Sequence, residues 1–111
     1  MFVYVAGPLT QGNSWRNVAK AMDATHALMD LGCDVFCPHL SVYLDIHKER
    51  PYNEWLDMDL RVIPRMDAIY LLPGDSPGAR KECELAASLG IPVYMTLEAV
   101  KAHKDHETNA S

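Results

Sequence analysis

The sequence predicts a small α/β domain in which a parallel sheet of about four strands, in the order 2-1-3-4, carries helices on both faces. Three observations lead there. Short apolar, β-rich runs (FVYVA, CDVFCP, DAIYLL and IPVYM) alternate along the chain with longer segments of helical periodicity. The first three runs stop at glycine or proline, as buried strands do at their turns. A chain of 111 residues, 49% hydrophobic, holds enough apolar side chain for one core but not for two.

FVYVA, Phe2 to Ala6, is a buried strand halted by Gly7 and Pro8. The loop GPLTQGNS leads into a helix from about Trp15 to Leu31, with Asn13 or Ser14 as its cap and Gly32 as its stop. CDVFCP is the second strand, ended by Pro38. From His39 to Pro51 the chain turns polar and reads as a long loop over the strand ends, where loops in compact domains tend to carry function. A helix follows from about Tyr52 to Ile63, with Pro64 marking its end. DAIYLL is the third strand, PGDSPG a turn, ARKECELAASLG a helix and IPVYM the fourth strand. TLEAVKAHKD forms a last helix capped by Thr96, which ends the ordered domain, 1–104, at about Lys104. The remainder, 105–111, reads as a flexible tail. Strands joined by helices pair in parallel through right-handed crossovers, giving a doubly wound sheet of the flavodoxin-like or Rossmann-like kind. Ligands in such sheets lie at the carboxyl ends of the strands, where strand order reverses. The loops after Ala6, Phe36 and Leu72 are therefore the places to search.

Composition narrows the partners. The net charge of −5 is mild, and lysines and arginines are scattered, which argues against a surface that tracks nucleic acid and for a small-molecule ligand. No apolar run approaches the ~20 residues that span a bilayer, and the start lacks the order of a signal peptide, so a cytoplasmic protein is expected. Cys33, Cys37 and Cys83 form no C-x-x-C pair; with His39, the first two would make a poor tetrahedron, so reduced thiols are expected and no metal. Neither a G-x-G-x-x-G nor a P-loop is present, and no cofactor is expected.

Two acids fall where apolar residues belong. Winding ARKECELAASLG at ~100° per residue puts Ala79, Cys83, Ala86 and Leu89 on one side, with Arg80, Lys81, Glu84 and Ser88 on the other. Glu82 falls in the apolar stripe, whereas Glu84 faces out, four residues after Arg80. In YNEWLDMDLRVI, Asp59 is surrounded by Trp55, Leu56, Met58, Leu60, Val62 and Ile63, while Asp57 faces out. A carboxylate among apolar groups costs several kcal/mol unless it is paired or hydrogen-bonded. Each acid alone has a structural explanation: backbone N–H bonds for Glu82, an arginine such as Arg16 or Arg65 for Asp59. Both together near strand ends favour a cleft with a polar ligand. The turn GDSPG offers Ser76, Gly78 and a helix start to an anion, although Ser76 also suits an N-cap and Pro77 a first turn. Gly7 either admits a ligand to the backbone or makes the turn.

VYVAGPLT, Asn17 in the first helix, DL at Asp59 and Leu60, MDAIYLL, and SPGARKECELAASLGIPVY resemble the nucleoside 2-deoxyribosyltransferase superfamily, which also holds the nucleoside 5'-monophosphate N-glycosidases. The chain looks most like small bacterial and phage members. The resemblance runs to about Val100, and its most specific part is G-x-x-x-E-x-x-x-A at Gly78, Glu82 and Ala86. It implies that Glu82 is a nucleophile and that Asp59 helps hold and protonate a nucleoside. Gly7, Pro8, Asn17, Ser76 and Gly78 are then expected to line the pocket, with Tyr43 and Trp55 as candidates for stacking on a base. The chain departs from the pattern at Glu84, where relatives carry a small residue, and at Pro77 within the turn.

The implied chemistry agrees with the two inward acids. Cleaving an N-glycosidic bond passes through an oxocarbenium-like state that a carboxylate can stabilise or trap, and the departing base needs a proton. Burial should raise the acid, Asp59, while hydrogen bonding keeps the nucleophile, Glu82, ionised. Water as acceptor gives a hydrolase and a second base gives a transferase; a phosphate at Ser76 and Gly78 would favour nucleotides. The alternative is a non-catalytic nucleotide-binding module or sensor of the same fold. Because the small sheet leaves a shallow cleft, and relatives complete theirs with a neighbouring subunit, a homodimer or larger homo-oligomer is expected, with the first or second predicted helix at the interface.

Overall fold

The computed structural model describes residues 1–9, 12 and 14–110, with 108–110 described by their backbone alone. Strand β1 (Phe2–Ala6) is followed by α1 (Ser14–Asp30), β2 (Asp34–Phe36), a 3-10 turn (Pro38–Leu40), α2 (Ser41–His47) and α3 (Tyr52–Val62). A second 3-10 turn (Ile63–Arg65), β3 (Ala68–Leu71), α4 (Pro77–Ser88), β4 (Val93–Tyr94) and α5 (Leu97–Ala110) complete the order. Among the described residues the strands form one four-stranded parallel sheet in the order β2-β1-β3-β4, as the sequence predicts.

β1 is central, and Val3, Tyr4, Val5 and Ala6 are all fully buried because helices cover both of its faces. Val3 and Val5 pack against Ala21 and Leu28 of α1 and Val100 of α5. The alternate residues Tyr4 and Ala6 pack the other way, onto Ile63, Met66 and Ile69 and onto Ala79 and Ala86 of α4. Gly32 ends α1 in the left-handed region (φ 85°); its N–H reaches the Met29 carbonyl at 2.9 Å and the Cys33 N–H reaches that of Leu28 at 3.1 Å. That pair of bonds is a Schellman closure, which delivers the chain straight into β2. Thr96 caps α5 by accepting the Ala99 N–H at 3.1 Å.

Several local expectations change. The segment 39–51 is not a bare loop: it holds a 3-10 turn and α2, since no glycine or proline interrupts 39–50. Its apolar residues gave no sign of a helix because α2 buries none of them. Helix α5 runs to Ala110, beyond the end expected at Lys104; no Gly or Pro breaks it, and Lys101–Asp105 and His103–Glu107 pairs one turn apart support it. Ser111, the last residue of the expected tail, lies outside the described residues, as does Asn13, one of the two caps expected for α1. Leu89, expected on the buried side of α4, is 49% exposed because the helix ends before it. Arg80 pairs with Asp75 rather than with Glu84, the turn before α4 lying closer to it than the next helical turn.

Candidate active site

The site forms where strand order reverses, at the carboxyl ends of β1 and β3. Ser76 caps α4 by accepting the Ala79 N–H at 3.1 Å, and Pro77 occupies the first helical position, so the helix start is fixed in register by sequence. From there Ala79, Glu82 and Ala86 share the face turned to the sheet, with Glu82 6% exposed and Glu84 in solvent. The acid aimed inward is Glu82, as the helical winding predicts.

What meets it is Tyr4. This tyrosine lies on β1, fully buried and stacked on Phe36 of β2 with ring centroids 5.6 Å apart; its hydroxyl donates to the Glu82 carboxylate. Burial pushes the phenol's pKa far up, and the nearby carboxylates of Glu82 and Asp59 add to it, so Tyr4 stays a donor. Glu82 is raised to about 7, chiefly by loss of water; the Tyr4 hydrogen bond pulls it down and Asp59 pushes it up. Asp59 stands half-buried on α3 and is raised to about 6 by burial. Among the described residues it makes no ion pair, so no arginine explains it. From sequence, hydrogen bonding is expected to keep Glu82 ionised; the Tyr4 bond acts in that direction, but burial raises both carboxyl groups and the bond offsets only part of the rise at Glu82.

Both acids line one cavity of about 520 Å³. Of the residues expected beside them, Gly7, Ser76, Gly78 and Trp55 also line it. Pro8, Asn17 and Tyr43 do not. The Pro8 carbonyl accepts the His39 Nε2–H at 3.2 Å, and Asn17 Nδ2 donates to the Leu9 carbonyl at 3.0 Å, so both shape the loop after β1 rather than face the cavity. Tyr43 lies on α2, 54% exposed. The two glycines serve protein packing. A Cβ on Gly7 would come within 2.7 Å of the Leu72 Cβ, and one on Gly78 within 2.5 Å of the Tyr52 hydroxyl. Cys33 lies in the core under the opposite face of the sheet from Glu82, and Cys37 Sγ is 3.9 Å from His39 Nδ1; no metal-ligand group forms among the described residues.

Tyr4, His39, Asp45 and Tyr52 were not foreseen. Tyr4 had a signal, since a hydroxyl inside a fully apolar strand demands a partner. His39 is buried, and burial lowers its pKa; Nε2 carries the proton that bonds Pro8, tying the exit of β2 to the exit of β1. Nothing in the residues around it distinguishes that role from a solvent-facing loop histidine.

Residues 1–95 match the model of a family described as Domain of unknown function (DUF4406), which covers the sheet and both acids. The chain belongs to the DUF4406 family. No curated protein matches it. Among solved structures, this DUF4406 chain is similar to the 2-deoxyribosyltransferase of the psychrotolerant bacterium Bacillus psychrosaccharolyticus. The two are 27% identical with a TM-score of 0.59, over 84% of this chain and 69% of that one. That neighbour is an enzyme described as a biocatalyst for the synthesis of nucleosides. The DUF4406 chain therefore shares the fold of a nucleoside deoxyribosyltransferase, and among its described residues no helix is long and apolar enough to cross a membrane.

Proposed function

We propose that the chain cleaves or transfers at the N-glycosidic bond of a (deoxy)nucleoside or nucleoside 5'-monophosphate, with Glu82 as nucleophile and Asp59 as acid and base. The observation that carries this reading is the placement of a nearly buried carboxylate, held by Tyr4, in one cavity with a second desolvated carboxyl group. A glutamate oxygen attacks the anomeric carbon, the carbon–nitrogen bond breaks, and its electron pair leaves with the base, which takes the proton of Asp59. Water, or the ring nitrogen of a second base, then attacks the same carbon. The ester bond to Glu82 breaks and Asp59 recovers a proton. The productive form needs Glu82 ionised and Asp59 protonated. Burial raises both groups toward neutrality, so one proton shared between the two carboxyl groups near pH 6 to 7 supplies that form. Positive charge developing on the sugar in the transition state favours the ionised Glu82.

The reading extends to assembly. Trp15, Met22 and Met29 on α1, Leu44 and Ile46 on α2, and Tyr52 and Met58 on α3 are all exposed, and a homodimer or larger homo-oligomer would cover part of this apolar surface.

The test is incubation with nucleosides and nucleoside 5'-monophosphates, with and without a second free base, followed by chromatography for released or exchanged base. Release from wild type and its loss in Glu82→Ala support the assignment. Release that survives Glu82→Ala refutes the nucleophile, and binding without any release points to a ligand-binding module.

A further inference from the structure

The start of α4 is where the sequence offers an anion a place, and the folded chain fills that place. Pro77 at the first helical position has no N–H, the Ala79 N–H is taken by Ser76 Oγ at 3.1 Å and the Arg80 N–H by the Ser76 carbonyl at 3.0 Å. Only the Gly78 N–H of that turn is left for a ligand. Tyr52, the first residue of α3, stands beside it: its hydroxyl lies 2.5 Å, and its Cζ 3.8 Å, from the point that a Cβ on Gly78 would take. That point and the amide nitrogen are each one bond from the same Cα, so the phenol and a phosphate on the amide claim one volume.

Charge acts in the same direction. Among the described residues the cavity wall carries the carboxyl groups of Asp45, Glu49, Asp59 and Glu82 against a single guanidinium, that of Arg50, whose Nη1 is engaged with Glu54 at 3.1 Å. Asp45 Oδ1 accepts the Trp55 Nε1–H at 2.8 Å and the Arg50 backbone N–H at 2.9 Å, bonds that hold its carboxyl below the usual carboxylate range and ionised at neutral pH. Burial lowers the pKa of His39, so the ring brings no positive charge there. Arg80, two residues after Gly78, is paired with Asp75 and exposed. Even with one proton shared between Asp59 and Glu82 the acids outnumber the cation, and a phosphate monoester adds roughly two negative charges at neutral pH.

We propose that the cavity takes an uncharged nucleoside and rejects its 5'-monophosphate, with Tyr52 as the specificity-determining residue. The inference rests on the glycosidic reading above and narrows its substrate class. With the anomeric carbon at Glu82 and the departing base at Asp59, the 5' end of the sugar extends toward Gly78, one turn or roughly 6 Å earlier on α4. A 5'-hydroxyl there meets the Tyr52 hydroxyl, which makes no hydrogen bond among the described residues and can donate to it or accept from it. A 5'-phosphate has to displace the phenol and face the carboxyl groups.

The test sets 2'-deoxyadenosine and 2'-deoxycytidine each against its 5'-monophosphate, with base release read by chromatography and binding by calorimetry. kcat/KM is expected to favour the nucleoside about tenfold or more, with the same order in binding, because like charges in a cleft repel strongly. Raising salt from about 0.05 M to about 0.5 M should narrow that preference through the KM of the monophosphate, since screening acts on the charged ligand. Tyr52→Ala is expected to cut the preference about fivefold or more, whereas Tyr52→Phe, which keeps the ring over Gly78, retains most of it. A role confined to packing would lower stability or slow both substrates alike, and a preference that Tyr52→Ala leaves unmoved takes the assignment from Tyr52. Release from the monophosphate as fast as from the nucleoside overturns the inference and leaves the glycosidic reading standing. Tighter nucleoside binding with no release does the reverse, and binding of neither ligand removes both.

Discussion

Glu82→Gln separates the two consequences of burying that carboxyl group. Folding raises the group from about 4.5 in the unfolded chain to about 7, so the native state favours the protonated form. The associated stability is fully present below the unfolded value and is lost as pH rises through about 7. The glutamine variant, whose carbonyl can still accept from Tyr4, is expected to match wild type near pH 4 and to exceed it above pH 7 by up to about 3 kcal/mol, read from urea unfolding across pH. The same variant should release no base. Tyr4→Phe tests the other side of the contact. The hydroxyl lowers the Glu82 pKa, so its removal should drive that value higher and displace the centre of the base-release profile upward in pH. A profile that stays in place would mean that Tyr4 does not set the ionisation of Glu82. In wild type, base release is expected to be bell-shaped, centred between the Asp59 and Glu82 values of about 6 and about 7.

At the scale of the element, α4 carries the site because its start is pinned. Ser76→Ala removes the bond to the Ala79 N–H and should cost about 1 kcal/mol in chemical denaturation, with Ser76→Asp closer to wild type. Its register was legible in the sequence because cap, Pro77 and apolar spacing all point to one winding, and local rules determine which side chain of a helix faces in. Helix α2 was not legible. It buries no residue, so hydrophobic periodicity, the signal that reveals a helix in sequence, has no core to reflect there. Gly78 illustrates a further limit. Its sequence context suggests an approach for ligand, whereas the structure places the Tyr52 hydroxyl at that point, 26 residues earlier in the chain. Tyr52 borders the same cavity, so a Gly78→Ala variant should force it aside and weaken ligand binding, read by titration.

At the scale of the molecule, the exposed apolar side chains of α1, α2 and α3 should be partly covered by a second copy. Light scattering at micromolar concentration is expected to give a dimer or larger assembly, and Leu44→Glu with Ile46→Glu to shift it toward the monomer if α2 lies in the contact. A wild-type monomer under those conditions would remove the assembly from the proposal.

The sequence alone determined the sheet, its parallel order and the inward winding of Glu82, because alternation of elements, turn residues and helical period are properties of neighbours along the chain. Tertiary structure alone decided what that carboxylate touches. Tyr4 lies 78 residues from Glu82, and a hydroxyl's partner across that separation follows from strand order and crossover, not from local spacing. The balance of ionisation was decided there too. Burial raises both acids because each loses water, a loss that only the packed chain defines. Asp45 and Trp55 are joined for the same reason. Ten residues apart, on either side of the turn that ends in Pro51, they meet because that turn brings the two side chains together beside the cavity.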